Sequence, residues 1–270
     1  MSSIEIVHFN PKRRVFKGKL GRLIPIKRPV NNFGDLLGPE IVRFILTQAN
    51  LLNKNSNSGI RLLTVGSILH FAKTDDVVWG TGINGKISLE AHNFDRLDVR
   101  AVRGPLTRDF LMARNIHVPE IYGDPGLLTP IVFPHLKTLK KNPKFDVTFI
   151  PNYNDLPFIS NQENVLNPRA GLLKCLERIA QSKFVVGSSL HAIIIAESLG
   201  IPARLIKSSV ENDFKYNDYF LGTGRSNIQF ASHYEHALEL GGAREITSDI
   251  IPSLFEAFPY DLWQKKLLKP

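Results

Sequence analysis

The sequence predicts an α/β protein assembled from parallel βαβ units in two successive sets. Three observations carry this. Short apolar runs (Arg61 to Val65, Asp76 to Gly80, Asp98 to Val102) each end in a turn bearing glycine, and buried strands alternating with helices imply parallel sheets. A polar, basic stretch broken by Pro143, Leu136 to Lys144, interrupts the series and reads as an interdomain linker. Beyond it the pattern resumes, and Phe184 to Pro202 reads as a buried strand, a tight Gly-Ser-Ser turn and an almost wholly apolar helix.

Taken in order, Ile4 to Phe9 reads as a first strand, followed by a basic excursion from Pro11 to Arg28. Val30 to Pro39 leads into a helix near Glu40 to Ala49, with Ile41, Phe44, Ile45 and Gln48 on one face. After the three strands named above, Pro105 suits the first turn of a helix reaching about Arg114. Glu120 to Tyr122 reads as a brief strand ending in Gly123-Asp124-Pro125-Gly126. In the second set, Phe145 to Ile150 is a strand ending in Pro151-Asn152-Tyr153-Asn154. Arg169 to Gln181 is a helix with Leu172, Leu176, Ile179 and Ala180 inward. Phe184 to Val186, Ser188 to Leu199 and Ala203 to Ile206 are strand, helix and strand, and Glu211 to Tyr219 is a short polar-aromatic helix. The amphipathic end, with Leu254, Phe255, Phe258, Leu262 and Trp263, is expected to pack back across a domain surface. The division expected is residues 1–138, 139–250 and 251–270.

The 270 residues suffice for one large domain or two modest ones. Cys175 is the single cysteine, which leaves no disulfide framework and no thiolate metal cluster and suits a reducing cytoplasm. The first residues lack the pattern of a secretory signal, and no apolar run reaches membrane-spanning length. The formal charge is +9, and it concentrates in Lys12, Arg13, Arg14, Lys17, Lys19, Arg22, Lys27 and Arg28. A solvated loop is one reading. The others are nucleic acid, anionic lipid or a polyanionic substrate. Only Phe16 interleaves the basic residues, which tilts the balance away from nucleic acid.

For chemistry, Ser188 and Ser189 stand at a helix start, where free N–H groups and the helix dipole favour an anion. Ordinary capping is the plain alternative. His191 lies within the first turn; its alternative is a histidine satisfied by the core. Asp35 at a strand-to-helix turn is either a ligand-facing carboxylate or a helix cap. Asp124 reads as a structural turn residue. Lys215 is either a binding-site cation or a solvated surface lysine. Trp79-Gly80-Thr81-Gly82 either lines a ligand site or is core. His70, His92, His117 and His135 are isolated in sequence, no metal-ligand spacing occurs, and neither a phosphate loop nor a dinucleotide fingerprint is complete.

Asn32-Phe33-Gly34-Asp35, Val102-Arg103, Gly123-Asp124-Pro125, Gly187-Ser188-Ser189-Leu190-His191-Ala192 and Gly200-Ile201-Pro202 together resemble the polysaccharide pyruvyl transferases, in order and spacing, from about residue 30 to residue 220. The resemblance implies a GT-B-like fold of two Rossmann-like domains facing across a cleft. It also implies transfer of the pyruvyl group of phosphoenolpyruvate to two hydroxyls of a saccharide, with no cofactor and no metal. The site it implies has His191, Arg103 and Asp35 as catalytic residues, and Ser188, Ser189, Leu190, Asn32 and Lys215 as substrate-binding residues. Arg103 falls where the family pattern has a ligand-binding arginine; a surface ion pair with Asp98 or Asp109 is the alternative, and Arg100 and Arg108 stand close by. The chemistry needs an acid for the methylene carbon, cations for two anionic groups, and a base for the hydroxyl. Imidazole, with a reference pKa of about 6.5, suits the first task. The expected partners are phosphoenolpyruvate and a saccharide carried on a polyprenyl pyrophosphate, with peripheral contact to the inner membrane face through Lys12 to Arg28. The rival is a nucleotide-sugar glycosyltransferase, for which Glu197 and Glu211 are the acidic candidates; a second rival is a basic nucleic-acid- or lipid-binding module.

Overall fold

The computed structural model describes residues 4–16, 18, 23–24, 26–52, 59–159, 164–243 and 249–264. In chain order the strands are β1 (Glu5–Val7), β2 (Lys12–Arg14), β3 (Lys27–Pro29), β4 (Arg61–Leu63), β5 (Val77–Trp79), β6 (Asp98–Ala101), β7 (Phe145–Phe149), β8 (Ser182–Gly187) and β9 (Ala203–Leu205). The helices are α1 (Leu37–Gln48), α2 (Pro105–Met112), α3 (Thr129–Val132), α4 (His135–Lys140), α5 (Leu172–Ala180), α6 (Leu190–Ser198), α7 (Phe214–Gly222), α8 (Tyr234–Leu240) and α9 (Ile250–Glu256).

Two parallel sheets form, ordered β1-β4-β5-β6 and β7-β8-β9. The α/β class and parallel pairing follow from the strands' composition: Val77, Val78 and Trp79 are all buried, as a strand covered on both faces requires. Helix α6 is the centre of the molecule. Ile193, Ile194, Ile195 and Ala196 are each fully buried, and a helix apolar around its whole circumference needs protein on every side. It packs on β8, β9 and α5 and also against the 3₁₀ turn Pro125–Leu128 and α3. One continuous core therefore contains Ile41 and Ile45 of α1, Val77 of the first sheet, and Val185 and Ala203 of the second. The strand-to-helix turn before α6 depends on Gly187. Its φ is +147°, and a Cβ there would overlap the Ile150 carbonyl oxygen, so only glycine serves.

Residues 250–263 pack onto the first sheet. Trp79 Nε1 donates to the Leu254 carbonyl at 2.8 Å, and Phe258 meets the Trp79 ring edge-on at 5.0 Å. Arg100 grips Asp261 through two bonds of 2.9 Å. Residues 265–270 lie outside the described residues.

Several expectations are corrected. Much of Leu136 to Lys144 is helix: α4 covers His135–Lys140, buries Leu136 and packs on α5. Its span is too short, between Pro134 and Pro143, for a helical period to show. Lys140 Nζ donates to the Leu199 carbonyl at 2.6 Å, satisfying an acceptor at the end of α6. Glu120 to Tyr122 forms no strand, only a single parallel bridge from Tyr122 to Val102. The basic excursion is not a plain loop. Strands β2 and β3 pair antiparallel, with Arg13 opposite Arg28 and Arg14 opposite Lys27. Both faces are largely exposed, so no apolar alternation marked them. Lys17, Lys19 and Arg22 lie outside the described residues.

Arg103 joins the first sheet to α7. Its side chain is wholly buried and pairs with the equally buried Asp218, Nη2 to Oδ2 at 2.9 Å and Nε to Oδ2 at 3.0 Å. Nη2 also donates to the Ile83 carbonyl at 2.7 Å and Nη1 to Ser67 Oγ at 2.5 Å. Asp218 accepts from Thr107 N at 2.9 Å and Thr107 Oγ1 at 2.7 Å. The ion-pair partner is thus neither Asp98 nor Asp109. Breaking a buried pair strands a charge in the interior. Arg103→Met is expected to lower stability by about 3–5 kcal/mol, and Arg103→Met with Asp218→Leu by less, as read from urea unfolding; equal losses would contradict the pairing.

Candidate functional site

A cleft of about 260 Å³ opens where strands of the two sheets end. Phe9 follows β1, Gly66 to Ile68 follow β4, Asn84 and Lys86 follow β5, Asn152 to Asn154 follow β7, and Ser189 to His191 follow β8; all line it. This is where open parallel sheets hold ligands.

His191 sits in the first turn of α6 with its side chain 13% exposed. The 3₁₀ turn Gly34–Leu36 passes directly over it: a Cβ at Gly34 would overlap Nδ1. Its Nε2 lies 3.8 Å from Asp124 Oδ2 and has no hydrogen-bond partner among the described residues. Asp124 is fully buried and fixed by Gly126 N at 2.8 Å and Gly66 N at 3.4 Å. The turn residue expected from sequence is therefore also the carboxylate behind the histidine.

Asp35 converges on the same spot. A Cβ at Gly66 would stand 3.6 Å from Asp35 Oδ1 and 3.8 Å from His191 Cε1. Asp35 caps nothing; its Oδ2 accepts from Asn32 Nδ2 at 2.7 Å. Burial pushes its carboxyl above the usual carboxylate range, against the opposing pull of His191, Asn32 and Lys215. Asn32, Asp35, Ser189, Leu190, His191 and Lys215 all line the cleft, so the structure brings these six predicted residues together.

Arg103 and Ser188 are not among them. Arg103 touches the cleft only through Ser67, which it holds. Ser188 is buried; its Oγ donates to Asp155 and accepts from Asn152 N at 2.9 Å. Asp155 also accepts from Ser208 and Ser209, and so ties the 152–154 loop to the start of α6. Neither serine caps α6 with its side chain. Trp79 and Thr81 are fully buried core residues and do not line the cleft.

Lys215 is no surface lysine. It is buried, and burial lowers its pKa against the opposing effect of Glu211. Glu211 Oε2 accepts from Lys215 Nζ at 2.8 Å, while Oε1 accepts from Lys86 Nζ at 2.5 Å and Asn154 Nδ2 at 2.8 Å. Burial would raise the Glu211 carboxyl, but these partners outweigh it and the net shift is downward. Arg13 completes the cations, reaching from β2 to Tyr153 Oη at 3.3 Å. Glu197, in the last turn of α6, is engaged by Arg225 at 2.6 Å and Tyr219 at 2.7 Å. Cys175 is buried and its thiol is pushed up to about 11 by that burial, which leaves it protonated and inert. Among the described residues no group of three or more His, Cys, Asp or Glu is placed to hold a metal ion.

Sequence reasoning missed Ser67, His70, Lys86 and the 152–154 loop as cleft residues. His70 and His92 are isolated in sequence but their rings lie 6.4 Å apart. The signal for the loops was their position after predicted strands.

A family model described as polysaccharide pyruvyl transferase matches residues 4–209. The chain belongs to the polysaccharide pyruvyl transferase family. Among its relatives, the succinoglycan biosynthesis protein ExoV of Rhizobium meliloti is 28% identical over 205 residues, 70% of this chain and 60% of that protein. An uncharacterised protein of Acanthamoeba polyphaga mimivirus is 28% identical over 190 residues, 63% of this chain and 62% of its own. The chain thus spans about three fifths of the length of these curated relatives. A solved structure of a Klebsiella pneumoniae protein superposes with a TM-score of 0.47 at 13% identity, over 75% of this chain and 89% of that one.

In this pyruvyl transferase family member, Asp35 is a buried acid whose folded pKa exceeds its unfolded value. The folded state therefore bears a cost at neutral pH, and the cost fades as pH falls through the folded pKa. Asp35→Asn, which keeps the acceptor for Asn32, is expected to raise the melting temperature by several degrees at pH 7. The gain over wild type shrinks on acidification toward pH about 4. A gain that is constant or grows on acidification would contradict a raised pKa.

Proposed function

We propose that this protein transfers the pyruvyl group of phosphoenolpyruvate to two hydroxyls of a saccharide, forming a ketal. The observation that carries this reading is the convergence of His191 and Asp35 over Gly66, at the N-terminal end of α6, in a cleft that also holds Lys215, Lys86 and Arg13. In the first step His191 gives a proton to the methylene carbon of phosphoenolpyruvate, and the adjacent carbon becomes an oxocarbenium-like electrophile. A saccharide hydroxyl adds there and loses its proton to Asp35. A second hydroxyl then displaces phosphate, breaking the carbon–oxygen bond to the leaving group; its proton goes to the now neutral His191, and Asp35 gives its proton to the released phosphate. The helix N-terminus and the lysines are suited to the donor's carboxylate and phosphate. Donor binding is assigned to the half carrying residues 139–250 and acceptor binding to the half carrying residues 1–138, in a GT-B-like division.

Similarity to a succinoglycan biosynthesis protein supports a surface-polysaccharide unit as acceptor; its carriage on a polyprenyl pyrophosphate at the inner membrane face is part of the proposal. No helix among the described residues is long and apolar enough to cross a membrane. The exposed basic hairpin β2–β3 is suited to an anionic surface.

Incubation with labelled phosphoenolpyruvate and candidate saccharides, followed by mass analysis, tests the reaction. His191→Gln is expected to cut turnover by about 10²–10⁴-fold, the range for a positioned acid, while phosphoenolpyruvate still raises the melting temperature. Turnover within a few fold of wild type removes His191 from the chemistry. For the hairpin, Arg13→Glu with Arg14→Glu is expected to release the protein from vesicles containing anionic lipid; unchanged sedimentation would exclude the contact.

A further inference from the structure

One wall of the cleft differs in chemistry from the rest. Phe9, after β1, and Phe71, at the end of the 3₁₀ turn Leu69–Phe71, have rings nearly parallel at 9° with centroids 6.2 Å apart. Both are half-buried, pack against the core of the first sheet, and line the cleft. The His70 ring lies 4.1 Å from that of Phe71 and also lines the cleft. His70 Nδ1 has no hydrogen-bond partner among the described residues. Burial, with His92 adding to it, lowers the pKa of His70, so at neutral pH the ring is uncharged and can both donate and accept. Ile68, Ile87 and Asn84 also line the cleft.

This set is ill suited to a phosphate or carboxylate, because the three aromatic side chains present π faces with negative quadrupole and no fixed positive charge. It suits a saccharide. A pyranose has a face of C–H groups that packs on an aromatic ring, and hydroxyls at its rim that need hydrogen-bond partners on desolvation. A neutral imidazole beside an aromatic pair supplies both. The cations Lys86, Lys215 and Arg13 line the same cleft, with Lys86 and Lys215 gathered on Glu211.

We propose that Phe9, Phe71 and His70 form the acceptor subsite, the phenylalanine pair packing on the C–H face of one pyranose and His70 hydrogen-bonding one of its hydroxyls. This rests on the pyruvyl-transfer reading and refines it. The subsite lies after β1 and β4 of the first sheet, not at Trp79 to Gly82, whose Trp79 is core.

The test uses the full chain and methyl glycosides of glucose, galactose and mannose as probes, read by saturation-transfer NMR. Phe71→Leu keeps an apolar side chain against the core but removes the π face; Phe71→Tyr keeps it. The expected result is transfer to the ring C–H protons of at least one glycoside with wild type and Phe71→Tyr, and loss of most of it with Phe71→Leu and Phe9→Leu. In the turnover assay, Phe71→Leu raises the acceptor KM by about tenfold and leaves the phosphoenolpyruvate KM within about twofold. Stabilisation by phosphoenolpyruvate, unchanged in Phe71→Leu, shows that the variant is folded. Equal signals from wild type and both leucine variants, no signal included, overturn the subsite. Absence of stabilisation by phosphoenolpyruvate in wild type instead overturns the donor assignment, whatever the glycosides show.

Discussion

The burial of α6 on all sides is the constraint on which the rest of this structure depends. Nine residues that read Leu-His-Ala-Ile-Ile-Ile-Ala-Glu-Ser leave no apolar stripe and no polar face in their middle turn. A helix of that composition is stable only between two layers. The second sheet supplies one layer; the Pro125–Leu128 turn and α3 supply the other. Because α6 directly follows β8, its N-terminus must emerge at the carboxyl end of the second sheet. Because its opposite side is packed by the first half, that same end faces the loops after β1, β4 and β5. The cleft is thus a consequence of one helix's composition together with the parallel direction of both sheets.

The same constraint explains why His191 is held so tightly. It is the one ring on α6 that reaches the cleft, and the chain passes it so closely that residue 34 has to be glycine. Asp124 is brought behind it by the turn that packs on α6, and Asp35 follows Gly34 immediately. Three segments distant in sequence meet at one imidazole. Asp35 is placed there at a cost to stability, since its burial disfavours the charge. A strained acid in a cleft is the kind of local inconsistency that structural economy alone would remove.

The βαβ rhythm, the apolar helix and the Gly-Ser-Ser turn were legible because each is a local pattern with a physical period. His191, Asp35 and Asn32 were legible because they stand at strand-to-helix turns, which topology sends to one edge. Arg103 was misplaced for a related reason. It too follows a strand, but its partner Asp218 is 115 residues away, and no local pattern announces a buried pair between elements so far apart. Ser188 likewise looks like a cap until the remote Asp155 claims its hydroxyl. The hairpin β2–β3 stayed hidden because neither face is buried, so its sequence carries charge without alternation. His70 and His92 show the same limit: 22 residues apart in sequence, they are near neighbours only after the loops beyond β4 and β5 fold over one another.

Charge in the cleft follows from pairing across the two halves. A buried lysine favours its neutral form, and Lys215 is lowered by that effect. What opposes it is Glu211, one turn earlier on the same side, whose other oxygen takes Lys86 from the first half and Asn154 from the loop after β7. Glu211 is itself kept ionised by these partners in spite of its burial. Each member thus depends on the others: without Glu211, burial and the charges of Lys86 and Arg103 would all lower Lys215, and without the lysines, Asn154 would be left to oppose burial at Glu211. Glu211 thus opposes the effect of burial on Lys215. The acid also links the loop after β5 to Lys215 of α7 and to the loop after β7, so the pairing of charge and the contact between these segments share one carboxylate.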